Sequence, residues 1–410
     1  EIYNKKSMLQ QMGTYFQPSI TIREKYMKFA VHKEHIIEGL QKAAAIIPSK
    51  AGAAYLRSIW LKAEEGRLAV MSTDANIEFT GRYQAEISEG GLIGVQGRAF
   101  VDLVRQLPSG VMQFSLEENS GNLLLEQGRR SYKLPVSGAE WFQNFSEFPT
   151  ENAVTWSGDF LQELLDRVVF CISDDDTMDA IACLYLKPAE EGRIDVCGLN
   201  GHQFALISFV HDELAARLPR EGVLIQKKYL QDLKKWLGVD EIELNLTDKR
   251  LYMRTVNGDE SLSLPRAAHD YPDYNVFLSK LNGEDVSTLL LDRKEALEAL
   301  GRIQIFNTES DRCAYLDLGD AEARITAQGQ DVGSACENLE VSFQGNVRRI
   351  AFPTRALMDV LAHFSSAQVT MTMTGAEGPC GIRGTEDPDY TVIIMPMKIS
   401  ETTYYSEEDV

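Results

Sequence analysis

Three nine-residue segments far apart in the chain share one pattern: Ala99-Phe-Val-Asp-Leu-Val-Arg-Gln-Leu107, Tyr229-Leu-Gln-Asp-Leu-Lys-Lys-Trp-Leu237 and Ala356-Leu-Met-Asp-Val-Leu-Ala-His-Phe364. Each has aspartate fourth and apolar residues second, fifth and ninth, the spacing of a helix with one buried stripe. Their starts lie 130 and 127 residues apart. An apolar residue followed by proline recurs at Leu134-Pro135, Leu264-Pro265 and Met395-Pro396, and a turn after a strand at Asp74, Asn200 and Gln328, at nearly the same period. Solenoids repeat every 20 to 50 residues, so a period near 128 means three copies of a whole domain.

Each copy also opens with a helix: 33–47 with Ile36, Ile37, Leu40 and Ile47 on one face, 160–170 with Leu161, Leu164, Leu165, Val168 and Val169, and 292–303 with Leu297 and Leu300. Alternating runs such as Gly121-Asn-Leu-Leu-Leu-Glu and Glu241-Ile-Glu-Leu-Asn-Leu read as strands. Two helices per copy laid on antiparallel sheet is an α+β architecture. The expected domains are 27–149, 150–278 and 279–399, with linkers near Phe148-Pro149 and Tyr271-Pro272, where proline interrupts the pattern. Residues 1–26 show no amphipathic period, and Met27-Lys-Phe-Ala-Val begins a strand. Met27 therefore reads as the native start and 1–26 as a non-native leader or tag, while 400–410 is a polar acidic tail.

Composition narrows the setting. No apolar run approaches the ~18 residues of a membrane span, and no stretch has the shape of a signal peptide, so the expectation is a soluble chain that stays in the cytoplasm. The six cysteines have no CxxC spacing and read as buried small hydrophobes in a reducing compartment. With 61 acidic against 41 basic residues in 410, the net charge of −20 argues against an ordinary basic nucleic-acid binder. The distribution of charge points the other way: the six predicted helices, taken as 33–47, 98–107, 160–170, 226–237, 292–303 and 353–364, together carry +3, and the rest of 27–399 carries −21. Taken singly, each helix reads as an ordinary solvated face. Taken together, they suggest a weakly positive surface within a strongly negative shell.

At this point the sequence resembles a family. Met27-Lys-Phe, Ser72-Thr-Asp74, Asn200-Gly-His202, Tyr271-Pro-Asp-Tyr274 and Tyr390-Thr-Val-Ile-Ile-Met-Pro-Met-Lys-Ile399, with the three-domain length, are similar to the bacterial DNA polymerase III beta subunit, the beta sliding clamp, over essentially all of 27–399. The resemblance implies a head-to-tail dimeric ring with helices lining the hole and sheets at the rim. Such a ring is a processivity factor that encircles duplex DNA without sequence preference. A lining of low positive charge suits sliding, because tight phosphate contacts would slow it.

The resemblance also implies positions. Lys50 matches a basic loop residue that touches DNA; Arg98, Arg105, Lys227, Lys228, Lys234 and Lys235 are further DNA-facing candidates from the helix reading. A hydrophobic pocket for extended client peptides falls at Ala180, Leu199, Gly201, His202, Gln203 and Phe204, then Pro272, Val276 and Phe277, with Pro379, Ile393, Met395, Pro396 and Met397 from the third domain. Methionines would give it adaptable walls. Positions usually Thr, Arg and Leu are here Leu199, Gln203 and Phe204, and a linker Arg is Val276, so the preferred motif should differ. The tail beyond Ile399 departs from the usual ending and could crowd this pocket. The ring contact would set Ile305 and Phe306 against Tyr132 and Leu134. The implied partners are a second copy, a clamp loader, the replicative polymerase alpha subunit, and other clamp-binding-motif proteins such as translesion polymerases, mismatch-repair proteins and ligase. No cofactor and no membrane partner are implied.

The rival reading is a metal-dependent nuclease or polymerase-associated enzyme built on Asp174-Asp175-Asp176 with Asp179, a cluster that would hold Mg²⁺. Adjacent carboxylates on a loop point in different directions, and no second cluster accompanies them. The histidines form no HExxH, His202 reads as a turn or pocket residue, and no P-loop, GxGxxG or GxSxG stands in the sequence. The expectation is a non-catalytic subunit.

Overall fold

A computed structural model of the chain describes residues 26–48, 53–116, 121–329 and 332–399. Residues 1–25 of the leader, Lys50 and the tail lie outside the described residues. Eight α-helices run in chain order among the described residues: α1 Lys33–Ile46, α2 Gly97–Gln106, α3 Gly158–Val168, α4 Asp212–Arg217, α5 Lys227–Trp236, α6 Asn275–Leu281, α7 Arg293–Ile303 and α8 Thr354–Ala362. All described strand pairings are antiparallel, which makes the fold α+β as expected.

The described residues fall into two compact units, one built from those up to 74 and from 80–144, the other from 75–79 and from those after 144. In the first, α1 and α2 pack side by side over strands that include Lys28–His32, Ser58–Glu64, Arg67–Thr73, Gly91–Gln96, Val111–Leu116, Asn122–Gln127 and Arg130–Ser137. Ile36, Leu40 and Ala43 of α1 and Phe100 and Val104 of α2 are buried there. Phe114 stacks on Phe29 at 4.6 Å and meets Phe100 edge-on at 6.2 Å, which ties two strands to a helix.

The second unit holds a long continuous sheet. Twelve strands run in the order Val223–Gln226, Cys183–Pro188, Arg193–Leu199, Gln203–Val210, Tyr390–Ile394, Cys380–Gly384, Gln368–Met373, Ser287–Asp292, Gly333–Gln344, Glu322–Gly329, Cys313–Leu318 and Arg349–Pro353. Its middle step pairs segments some 190 residues apart: Phe204 lies opposite Ile393 and Ala205 opposite Val392. Helices α3 and α5 cover one part of this unit, α7 and α8 another.

The repetition is visible in single hydrogen bonds. Lys33 N donates to Gly110 O at 3.0 Å, Gly158 N to Asp240 O at 3.0 Å, and Arg293 N to Ala367 O at 2.9 Å. Each joins the first residue of a leading helix to the chain just beyond the second helix of the same copy. Local chemistry sets the starts: Gln96, Ser157 and Asp292 accept from the amides of Ala99, Phe160 and Glu295 at the first turns of α2, α3 and α7. The six expected helices agree with the observed ones to within two residues.

Two expectations need correction. Two long helices recur in every copy, and two short helices stand beside them, α4 in the second copy and α6 in the linker that follows it. Six- and seven-residue helices are too short to show a stripe, and α4 buries only Leu214. The 160–170 helix ends at Val168 and passes into a 3₁₀ turn, Val169–Cys171. Five cysteines are buried, but Cys336 is exposed on the strand Gly333–Gln344, with Arg324 Nε 3.0 Å from its sulfur. All six are free thiols. Among the described residues, no helix is long and apolar enough to cross a membrane.

Candidate functional site

The strand pairing at the middle of the twelve-stranded sheet builds a layered apolar site. Phe204 and Ile393, opposite each other, are 2% and 4% exposed and form its floor with Cys183, Tyr185, Cys197, Leu206, Leu224 and Leu281. Tyr274 is buried over them, stacked on Phe204 with ring centroids 5.6 Å apart, and its hydroxyl donates to Asp195 at 2.6 Å. Burial first, then the neighbouring Cys197 and Asp195, pushes the Tyr274 hydroxyl well above its ordinary pKa, so it stays protonated as a donor. Tyr271 stacks on Tyr185 at 4.4 Å, and Leu199, Phe277 and Leu278 pack half-buried at the margin.

Above this floor the chain leaves apolar groups in reach of solvent. Val276, Met395 and Met397 are 51%, 37% and 45% exposed. The methionines are held by backbone: Met395 N donates to His202 O at 2.9 Å and Met397 N to Ala351 O at 2.8 Å, with Pro396 between them. His202 is exposed in a turn that Asn200 closes by accepting from the amides of His202 and Gln203. Gly201 follows Asn200 with φ of 89°, a conformation that suits glycine. Gln203 reaches α8, its Nε2 donating to Ala356 O at 3.3 Å. Of the pocket candidates, the structure brings Leu199, Phe204, Phe277 and Ile393 together. It sets Gly201, His202 and Gln203 in the adjoining turn, Met395, Pro396 and Met397 along one rim, Pro272 exposed ahead of α6 and Val276 exposed on it. Pro379 precedes the strand Cys380–Gly384, whose Cys380 pairs with Ile394.

Ala180 belongs to a loop with its own fastening. Ser173 N donates to both Ile181 O and Leu199 O at 3.1 Å, which closes the loop and sews it to the margin of the site. Within it Asp175 accepts from Thr177 N and Oγ1, and Asp179 has φ of 36° and ψ of −95°, an unfavourable conformation for a residue with a Cβ. Met178 is half exposed at its outer side.

The cationic candidates on the helices are tethered. Arg98 donates to Ile47 O at 3.4 Å, at the end of α1. Arg105 pairs with Asp102 at 2.9 Å, Lys235 with Asp232 at 3.2 Å, and Lys234 with Asp166 of α3. Lys228 sits over the ring of Tyr229 at 5.0 Å. Lys227, 21% exposed, contacts Ile172 O at 2.6 Å and Asp174 Oδ1 at 2.7 Å. The Asp174–Asp176 segment is accordingly divided: Asp174 faces Lys227 and Asp175 caps Thr177, while the Asp176 side chain lies outside the described residues. Among the described residues, no three His, Cys, Asp or Glu side chains gather as a metal site.

Two strand edges carry the remaining candidates. Tyr132 and Leu134 lie half-buried on one face of Arg130–Ser137. That strand pairs with Asn122–Gln127 on one side, and on the other, among the described residues, only Val136 and Ser137 are paired, with Val95 and Gly94. Ile305, 71% exposed, and half-buried Phe306 form the 3₁₀ turn after α7. Nearby, Gly333–Gln344 pairs with Glu322–Gly329 through residues 333–340 but with Ser287–Asp292 only from Val341 on. Arg302 grips Glu337 of this strand by two bonds, at 2.7 and 3.0 Å, and holds its carboxyl below the usual range.

Sequence reasoning missed the tyrosines. Tyr271 and Tyr274 stand in the linker motif, but that they roof the floor follows only from the pairing of distant strands. The ion pair of Arg167 and Asp387 was missed for the same reason.

Comparison with known proteins fits this architecture. The family model for the DNA polymerase III beta subunit, N-terminal domain, matches residues 27–146, and that for its C-terminal domain matches 282–398, together more than half of the chain. The beta sliding clamp of Caulobacter vibrioides is 23% identical over 379 residues, spanning 91% of this chain and 100% of its own. Among solved structures, the DNA polymerase sliding clamp of Caulobacter crescentus superposes with a TM-score of 0.84 at 22% identity. The griselimycin-bound sliding clamp of Pseudomonas aeruginosa does so at 0.82 and 24%. Both spans cover 91% of this chain and 100% of the other.

Proposed function

We propose, from the premise that the chain belongs to the DNA polymerase III beta subunit family, that it acts as a DNA polymerase processivity factor. It works as a sliding clamp that encircles duplex DNA and tethers the replicative polymerase and other client proteins. The observation that carries the ring is the pair of unfilled strand edges. Within the chain, one copy is joined to the next by Gln203–Val210 pairing with Tyr390–Ile394. By the repeat, Gly333–Gln344 is the counterpart of the first strand and Arg130–Ser137, with Leu134-Pro135 matching Met395-Pro396, of the second. Each edge lacks what the other offers, so a second copy completes both, head to tail, and the contact closes. Charge agrees: Arg129, Arg130 and Lys133 border one edge, Glu337 and Glu340 the other. In this reading Ile305 and Phe306 meet Tyr132 and Leu134 of the second copy, and the three domains take the bounds 27–149, 150–278 and 279–399.

Arg98, Arg105, Lys228, Lys234 and Lys235 face the duplex. Their intramolecular partners leave a small net attraction, which suits sequence-blind sliding. Client peptides lie in the groove between the exposed methionines and α6, over the Phe204–Ile393 floor. The chain supplies no chemistry of its own, and its place of work is the cytoplasm, where the clamp loader sets it on DNA. The test is primer extension on a circular template with the cognate loader and polymerase. Longer products per binding event with the protein present are expected; unchanged product length would overturn the reading.

A further inference from the structure

The structure assigns Lys227 to the client groove as a positioning residue, although its place at the start of α5 marks it as one more cation for DNA; this deepens the groove reading above and rests on it. Lys227 is mostly covered, and its ammonium is already spent on two acceptors of one loop, Ile172 O and Asp174. That loop runs from Ile172 to Ala182. Next to Ile172, Ser173 N donates both to Ile181 O at the loop's far end and to Leu199 O at the groove margin, and Cys183 Sγ, in the floor, lies 3.3 Å from Asp179 O.

The loop needs such a fastening. Asp179 sits in a strained backbone conformation that persists only where the surroundings impose it. Asp174 itself is 92% exposed, so apart from Lys227 solvent surrounds it. Cutting the ion pair frees the segment to relax at Asp179. Ala180, Met178 and the Leu199 margin would then lose their fixed placement, and a peptide would have to order them on binding. The ligand served is an extended apolar peptide, and Lys227 acts on it through the loop without touching it.

The experiment uses the full-length protein with Lys227→Gln and Asp174→Asn, the second leaving the Ile172 bond intact. Three readouts are needed: amide hydrogen exchange across 173–182, Kd of a fluorescein-labelled peptide carrying the clamp-binding segment of the cognate polymerase, and the salt dependence of DNA retention on a circular template. Expected are faster exchange in the loop for both variants, peptide binding weakened roughly five- to tenfold, and an unchanged salt slope for Lys227→Gln. A slope reduced by about one with peptide affinity intact would make Lys227 a phosphate contact and overturn the assignment. Unaltered loop exchange in Asp174→Asn would overturn it too. A wild-type protein that ignores the peptide while both variants still loosen the loop would instead sink the groove reading.

Discussion

Arg167 and Asp387 are 220 residues apart in sequence and 3.0 Å apart in space. The carboxylate is 6% exposed and also accepts from Ser365 Oγ and from the amide and hydroxyl of Ser366. Burial alone would raise the Asp387 pKa, but the hydrogen bonds from Ser366, Ser365 and Arg167 outweigh it and hold the group well below the usual carboxylate range. Tyr390 completes the arrangement: its hydroxyl donates to Arg167 O at 2.7 Å, and Arg167 lies 5.3 Å from its ring. The cluster clasps α3 to the strand Tyr390–Ile394, beside the sheet step that carries the Phe204–Ile393 floor.

Because the folded pKa is depressed, the ionised form of Asp387 stabilises the fold at neutral pH. That stability is present above the unfolded value of about 3.9 and is lost as pH falls further toward the folded one. Asp387→Asn should therefore lower the urea unfolding free energy by about 2–4 kcal/mol at pH 7, as expected when one member of a buried pair is removed. The gap to wild type should narrow steadily below about pH 4. A gap that stays constant from about pH 7 to about pH 2.5 would show that Asp387 does not titrate in this way.

Floor and rim of the groove should respond differently to truncation. Phe204→Ala opens a cavity in a fully packed layer and should cost about 3–5 kcal/mol of stability. Met395→Ala, at an exposed position, should change stability by no more than about 0.5 kcal/mol while weakening client-peptide binding by roughly tenfold, about 1.4 kcal/mol. Thermal melts and peptide titration on the same preparations separate the two. Equal stability loss in both variants would mean that Met395 belongs to the core.

The contrast explains what sequence reasoning reached. A 3.6-residue stripe and a 128-residue period are local and repeated signals, so the six long helices and the antiparallel α+β design could be read directly. Helix α6 could not: Val276, Phe277, Leu278 and Leu281 follow a proline in what reads as a linker, and its packing comes from the distant floor. Pocket and ring-contact positions, and Lys50, were available only by resemblance, whereas the other cations came from the helix reading. That Phe204 and Ile393 would be sealed under Tyr274, or that Lys227 would be held by Asp174, depends on which segments meet. Charge counts likewise give the sign of a helix face but not the partner of each cation.

Those partners lead to an inverse prediction for DNA. Lys235 is matched by Asp232 and Lys234 by Asp166, so single Lys→Ala changes should reduce the salt slope of DNA retention by less than about one each. Asp232→Asn and Asp166→Asn should instead lengthen retention at low salt, because each frees a cation for phosphate. Retention times of the loaded protein on a circular template between about 50 and 200 mM salt, a range over which phosphate contacts separate by about 10³-fold or more, would decide. Carboxylate removal that shortens retention would place these pairs away from the duplex.

In the proposed ring, the turn after α7 carries the closing contact. Ile305 is among the most exposed large apolar side chains described, and Phe306 beside it is only half covered, an arrangement with an energetic cost in water unless a partner covers it. Phe306→Asp puts a charge where the second copy would bury a ring, and desolvating that charge without a cation costs more than the contact returns. Light scattering should report a mass near twice that of the chain for the wild type and a single chain for Phe306→Asp, with the melting temperature shifted by only a few degrees. The variant should also fail to raise processivity, since an open contact cannot keep DNA enclosed. A dimer mass that survives Phe306→Asp and Ile305→Asp together would move the closing contact to another edge.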